Sequence, residues 1–419
     1  MIRSGLTSIL MLVVMSTTPI AWADDAPAIL LKAGKIYISP EKTIENGAIL
    51  IEAGTITGVG TDLAPPEGAT IIELPDGTIT AGLIDANSTA GYRSVNKAEH
   101  RSECIPELRV IDMVDLHSRS FDRLASTGVT TVYVSADSAS VIGGRGAILR
   151  TGGPAGGRII REAYGVKATI GREPIYKASR NRTPFGRTTF LTRRPNTRMG
   201  LAWVFRKSFH DAQIFARGET PATRGEGSPS DDSIPTLIGV LKGEIPLRIQ
   251  ARSHLDILTA IRLSREFNIP FTLEEGTDAY RCLDDLRENK IPIIYGPIFD
   301  YPHGFRAGSG EADKQRYNTL VKLIGAGLTV ALSANDQTGE AALPHQATYA
   351  MRFGLSRSQA LAAVTTTPAK LLELESPSGT IETGQPADVV LWSGEPFAAT
   401  TRAEVVVIGG TIVRNATGG

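Results

Sequence analysis

Residues 247–275 read L-R-I-Q-A-R-S-H-L-D-I-L-T-A-I-R-L-S-R-E-F-N-I-P-F-T-L-E-E, and this stretch decides the architecture. Its first four residues form a short strand candidate. In residues 256–267, Ile257, Leu258, Ile261 and Phe267 fall largely on one helical face, so the spacing predicts a helix there. A second strand follows at 270–273. The same alternation continues outward, with a helix at 278–288, a strand at 291–295, a helix at 317–324 and a strand at 328–332. Ser356 with Gln359 makes a capping box that opens a last helix through Val364. Upstream, the β-branched run V-T-T-V-Y-V at 129–134 follows a helix-like stretch, 116–124, closed by Gly128. Repeated strand–helix units over residues 81–374 predict an α/β fold of the (β/α)8 TIM-barrel type.

Both ends have a different texture. Short strand-like runs at 29–31, 35–38, 48–52, 55–59 and 71–74 are separated by turn residues such as Asn46-Gly47, Pro65-Pro66 and Asp76-Gly77. The tail repeats this at 388–392, 405–408 and 411–413. One small β-sandwich built from residues 24–80 plus 375–419 is the expectation. Residues 1–23 read as a signal peptide: Arg3 is the positive start, 9–15 the apolar run, and Ala21-Trp22-Ala23 the small-x-small cleavage site. The mature protein is therefore expected to be exported, periplasmic or secreted, with no membrane attachment after cleavage.

Composition narrows the partners. The chain carries 44 basic and 44 acidic residues, so its global field gives no reason to expect nucleic acid or an anionic membrane. Two cysteines, Cys104 and Cys282, with no C-x-x-C, point to free thiols and offer no zinc knuckle. One stretch breaks the alternation: residues 152–234 are rich in Gly, Pro, Thr and Arg. Between Arg172 and Lys207 it holds ten basic residues against one acid, Glu173. It reads as a basic excursion from the barrel, either a solvated loop or a lid over the mouth. Residues 225–232 look disordered.

Four separated motifs carry a family resemblance. They are G-L-I-D-A at 82–86; G-V-T-T at 128–131 with I-G-G-R-G-A at 142–147; D-I-L-T-A at 256–260 with L-E-E-G-T-D-A-Y at 273–280; and T-T-T-P-A at 365–369 followed by G-T-I-E-T-G-Q-P-A-D-V-V-L-W at 379–392. Together they resemble the amidohydrolase superfamily, in its imidazolonepropionase-like branch. The resemblance implies hydrolysis of a non-peptide C–N bond, with cyclic amides among the candidate substrates. It also implies a divalent metal, usually zinc, at the C-terminal ends of the barrel strands, where the ion makes a nucleophilic hydroxide and polarises the scissile carbonyl.

Transferred residue by residue, that resemblance puts Asn87 and Thr89 in the two histidine slots of the first barrel strand. It puts Gln250 in the slot of the fifth strand, in Arg248-Ile249-Gln250-Ala251, and Glu275 in that of the sixth. Asp336 keeps the aspartate of the eighth strand. Lys167 has no assigned role. The six histidines show no His-x-His and no i,i+4 pair; His254 is the one nearest the motifs and a possible pocket residue. Arg145, among the glycines of 142–147, is another, in a loop whose backbone could cradle an anion.

Three readings of the site stay open. The oxygen set Asn87, Gln250, Glu275 and Asp336 could hold a hard cation. Glu275 and Asp336 could form a metal-free acid/base pair. Or the old cavity is filled by hydrogen-bonding side chains that need no ion. The expectation is a metal-free site with Asp336 and Glu275 catalytic and no cofactor. The rival is a silent paralogue that binds a small molecule, or pairs with an intact paralogue or itself in an oligomer.

Overall fold

The computed structural model describes residues 27–92, 102–175, 194–225, 227–299, 316–335, 342–374 and 379–417. The signal-peptide expectation and Asp336 lie outside these residues, as does most of the basic run, 176–193. Among the described residues no helix is long and apolar enough to cross a membrane.

Both ends of the chain meet in one continuous seven-stranded sheet, ordered β15-β14-β13-β4-β1-β2-β3. The strands are β1 (Ile29–Ser39), β2 (Lys42–Glu52), β3 (Thr55–Gly60), β4 (Thr70–Ala81), β13 (Val389–Trp392), β14 (Ala403–Ile408) and β15 (Thr411–Asn415). The composite of N- and C-terminal strands is thus present, as a single hydrogen-bonded ladder in place of two separate sheets. Period-two alternation sorts its side chains. Ile29, Leu31, Val389, Leu391, Val405 and Val407 gather in a core of their own, while Val390, Trp392, Val406 and Ile408 pack into the barrel's cluster. Trp392 is pinned by its indole N–H donating to Thr80 Oγ1 at 2.9 Å.

The second sheet has eight strands, β5 (Leu83–Ser88), β6 (Val129–Val134), β7 (Ile142–Arg150), β8 (Ile159–Thr169), β9 (Leu247–Ala251), β10 (Phe271–Glu275), β11 (Ile293–Tyr295) and β12 (Val330–Leu332), paired in chain order. Its two edges meet. Ser333, just past β12, donates to Asp85 of β5, and the Ala334 N–H donates to the same carboxylate at 3.1 Å. The Ser333 hydroxyl also lies 2.9 Å from the Asn87 carbonyl oxygen. This is a nearly closed barrel.

One strand departs from the (β/α)8 expectation. β7 is antiparallel to both β6 and β8, so seven strands run one way and one runs back. Antiparallel neighbours need only short hairpin connections, whereas the parallel pairs use helical crossovers. The I-G-G-R-G-A run, expected as a loop, is the first two thirds of this strand. The stretch 152–234 is likewise no single excursion. It supplies β8 and the 19-residue helix Arg198–Ala216, which buries Leu201, Val204, Phe205 and Phe209. Asp231 and Asp232, expected to be disordered, open a 3-10 turn (Asp231–Ser233) capped by Ser230. Both cysteines are free and buried, and burial pushes their thiols up to about 12.

Alternation also sorts the barrel strands. Val132, Val134, Val166, Ala168, Ile249 and Leu273 face the surrounding helices, while Ile84, Ala86, Tyr133, Ile148, Tyr164, Ile294 and Ala331 form a separate interior floor with Ala369 and Leu372.

Candidate functional site

Above the apolar floor lies a layer of buried charge. Lys167, Arg248 and Glu274 occupy the alternate, inward positions of three consecutive strands. The Lys167 ammonium donates to Glu274 Oε2, and Arg248 Nε donates to Glu274 Oε1 at 2.6 Å. The same guanidinium donates to the Ala86 carbonyl at 2.5 Å and lies over the Tyr133 ring, 3.7 Å from its centre. Burial alone would raise the Glu274 pKa, but the adjacent Lys167 and Arg248 outweigh it and hold the carboxyl below its ordinary range. Two glycines make room. An added Cβ at Gly146 would fall 2.2 Å from the Tyr133 ring. Gly165, at φ +63°, kinks β8 so that Tyr164 and Lys167 both face the barrel interior.

A second layer sits at the C-terminal ends of β8, β9 and β10, where barrels of this kind place their chemistry. Arg252, one residue beyond β9, donates from Nε to Glu275 Oε2, from Nη2 to Glu275 Oε1 (3.3 Å), and from Nη1 to Glu173 Oε1. The Gln250 amide nitrogen donates to the same Glu173 oxygen at 3.1 Å, and its carbonyl oxygen accepts from Ser138. Glu275 holds φ at +69°, the left-handed region. That turn swings Glu275 toward the mouth, although its neighbour Glu274 already faces inward. Non-glycine residues in this conformation cluster at functional sites. Two further hydroxyls at strand ends, those of Ser135 after β6 and Thr169 in β8, are buried and make no hydrogen bond among the described residues.

Comparison with known proteins follows this geometry. An amidohydrolase from Thermotoga maritima MSB8 superposes with a TM-score of 0.78 at 28% identity, covering 92% of this chain and 100% of the other. The amidohydrolase family profile matches residues 327–414. The chain is thus similar to amidohydrolases in its C-terminal sequence and in its fold. A curated relative, amidohydrolase tasK of Hapsidospora irregularis, is 26% identical over 398 residues, 87% of this chain. The chain spans 39% of that relative's length. More distant folds include a Xaa-Pro dipeptidase with methionine in its active site, with a TM-score of 0.57 at 16% identity, covering 92% of this chain and 99% of that one. That likeness speaks to the fold alone.

Within the barrel, the residues singled out from sequence fall in three places. Gln250 and Glu275 share one network through Glu173 and Arg252. Asn87, buried, is the penultimate residue of β5 at the seam with β12, its backbone N–H donating to Asp85 at 3.2 Å; Thr89, just past the strand, is half-buried. Arg145 is not a pocket residue. In β7 it alternates with Gly146 and Ile148, which face inward, so it points out of the barrel, 3.5 Å from the Glu107 carbonyl oxygen. His254 is half-buried as the first residue of helix His254–Phe267, its backbone N–H donating to Asp278.

Sequence reasoning passed over Lys167, Glu173, Arg248, Arg252 and Glu274. The signal for three of them is period two: Arg248, Gln250 and Arg252 alternate with Leu247, Ile249 and Ala251, and Glu274 follows Leu273. Glu173 had a different signal, as the one acid in a basic run.

Proposed function

We propose that this amidohydrolase acts on small molecules at the barrel mouth, hydrolysing a non-peptide C–N bond such as that of a cyclic amide, without a resident metal ion. The observation that carries the reading is the Glu173–Arg252–Glu275 cluster at the strand ends, with the strained Glu275 backbone beneath it. The donor set does not fit a divalent ion. Glu173 and Glu275 are bridged by a guanidinium, and both ends of the Gln250 amide are engaged. Among the described residues no group of three or more His, Cys, Asp or Glu side chains could hold one.

In this reading Glu275 takes a proton from water as the water oxygen bonds to the carbonyl carbon. The Arg252 guanidinium faces the oxyanion so formed, a role in which one fixed donor is worth roughly 100- to 1000-fold in rate. The C–N bond then breaks as the proton passes from Glu275 to the leaving nitrogen. Asn87, Thr89 and Gln250 line the substrate. Asp336, which in sequence follows Ser333 of the β5–β12 seam by three positions, is the second acid of the proposal. Export belongs to the same proposal and is checked by the N-terminal sequence of protein recovered from its native host.

The test is hydrolysis of five- and six-membered cyclic amides by the purified chain in excess chelator. Chelator-resistant turnover that Glu275→Gln abolishes is the expected result. Turnover that vanishes with chelation and returns with zinc would overturn it. A second reading, a silent paralogue that binds a small ligand or a partner chain, is favoured by the two-point grip of Arg252 on Glu275. Ligand-induced thermal shifts with no turnover would select it.

A further inference from the structure

We propose that a cavity at the foot of the barrel, opposite the mouth, binds a small carboxylic acid with an apolar body. The inference goes beyond the hydrolysis reading and does not depend on it. The cavity has a volume of about 250 Å³ and lies where the barrel meets the seven-stranded sheet. Arg150 ends the antiparallel β7, beside Thr131 near the start of β6. Arg161 stands near the start of β8, and Asp388 immediately precedes β13.

The two arginines have donors to spare. A guanidinium carries five N–H groups. Arg150 Nε is shielded from water and makes no hydrogen bond among the described residues. Its ion pair with Asp388 Oδ2 is 3.8 Å long, beyond hydrogen-bonding reach. The other oxygen of Asp388 is turned away, accepting from the Gly409 N–H at 2.6 Å. Arg161 donates from Nη2 to the Glu373 carbonyl at 2.9 Å and lies over the Tyr164 ring. A shielded donor without an acceptor is costly and calls for an explanation. Two guanidiniums beside one carboxylate favour an anion, and their forks match a carboxylate. The rest of the wall sets the ligand's other end. Ile84, Ile160, Leu374 and Pro386 line the same space, with Ile160 38% exposed. A bare inorganic anion would leave that apolar wall in water, whereas an acid with a hydrocarbon body covers it. The volume keeps the ligand small, since drug-sized molecules occupy roughly 300–1000 Å³. Barrels carry stability at this end and chemistry at the other, so the acid is held here and not turned over.

The experiment measures binding, so it succeeds or fails whatever the hydrolysis assay gives. The full chain is titrated calorimetrically with 4-methylpentanoate and with the corresponding uncharged amide. Wild type is expected to bind the acid with a Kd of about 1 mM or tighter, and the amide at least roughly tenfold more weakly. Arg150→Gln removes the shielded donor and is expected to weaken binding of the acid at least roughly tenfold. Ile160→Glu, at a partly exposed position that should not disturb folding, sets a negative charge on the apolar wall and is expected to do the same. It also serves alone should Arg150→Gln not fold. Wild type that binds the acid no better than the amide overturns the proposal. So does binding that survives Ile160→Glu or a folded Arg150→Gln, which would put the acid elsewhere on the chain.

Discussion

The two charged layers of the barrel use the same parts at different depths. In the lower one, Lys167 and Arg248 close on Glu274, with exposures of 2%, 1% and 0%. In the upper one, Arg252 joins Glu173 and Glu275, with exposures of 8%, 10% and 5%. The lower layer has two cations for one carboxylate, a carbonyl and an aromatic ring to absorb the surplus, and no route to solvent. Among the described residues, the upper joins one cation to two carboxylates, and it lies at the strand ends. Excess positive charge locked under an aromatic ring is scaffold. Carboxylates at the mouth, one of them on a backbone held in a strained turn, are where a ligand can act.

The sharpest way to break this comparison is to remove the lower cation. Arg248→Met strips Glu274 of one partner in a place water cannot reach, and leaves Tyr133 and the Ala86 carbonyl without their contact. Breaking a buried pair in this way costs about 3–5 kcal/mol. A urea midpoint unchanged from wild type would show that the lower layer does not hold the barrel together.

Acid should weaken the lower layer with a definite sign. The folded-state pKa of Glu274 is lowered, so its contribution is fully present above the unfolded carboxyl value of about 4.3 and is lost as pH falls through the folded value. Glu274→Gln should therefore cost stability at pH 6 and progressively less below the unfolded value. A urea midpoint difference between wild type and variant that stays constant from pH 6 to pH 3 would contradict the assignment.

Overpacking probes the support of that layer. Gly146→Ala pushes a methyl into the Tyr133 ring, 2.2 Å from an unshifted neighbour, and should cost about 1–3 kcal/mol as the ring moves from beneath Arg248. Gly156→Ala, with open space around it, should cost far less. Equal denaturation midpoints for the two variants would count against the packing role.

The strand–helix rhythm was legible because its cause is local. Val132 and Val134, and Leu247, Ile249 and Ala251, are apolar outward positions at alternate places in their strands, and the helix from His254 to Phe267 shows its buried face through Ile257 and Ile261. β7 was illegible because its three glycines look like a loop, and they are in a strand to spare Tyr133 and the Leu108 backbone. The site was half legible. Gln250 stood out by resemblance, while Arg252, two positions on, was hidden by its place in the turn to the helix. Glu275 was singled out from sequence, but Glu173, which shares Arg252 with it, lies about 100 residues upstream and meets it only through tertiary structure. No pattern in residues 271–275 announces that both glutamates point inward, since alternation allows only one.

That exception supplies the finest test. Glu275 reaches the mouth through a φ of +69°, and a side chain with a Cβ resists this conformation by about 1 kcal/mol relative to glycine. Glu275→Ala and Glu275→Gly lose the same contacts to Arg252 and differ only in the Cβ. If the turn is strained, the glycine variant should be the more stable by about 1 kcal/mol, despite the greater freedom of its unfolded chain. In the lower layer the order should invert. Glu274, in regular strand conformation, should tolerate alanine better than glycine. Finding the same order at both positions would remove the strained turn as the feature that separates the working layer from the scaffold.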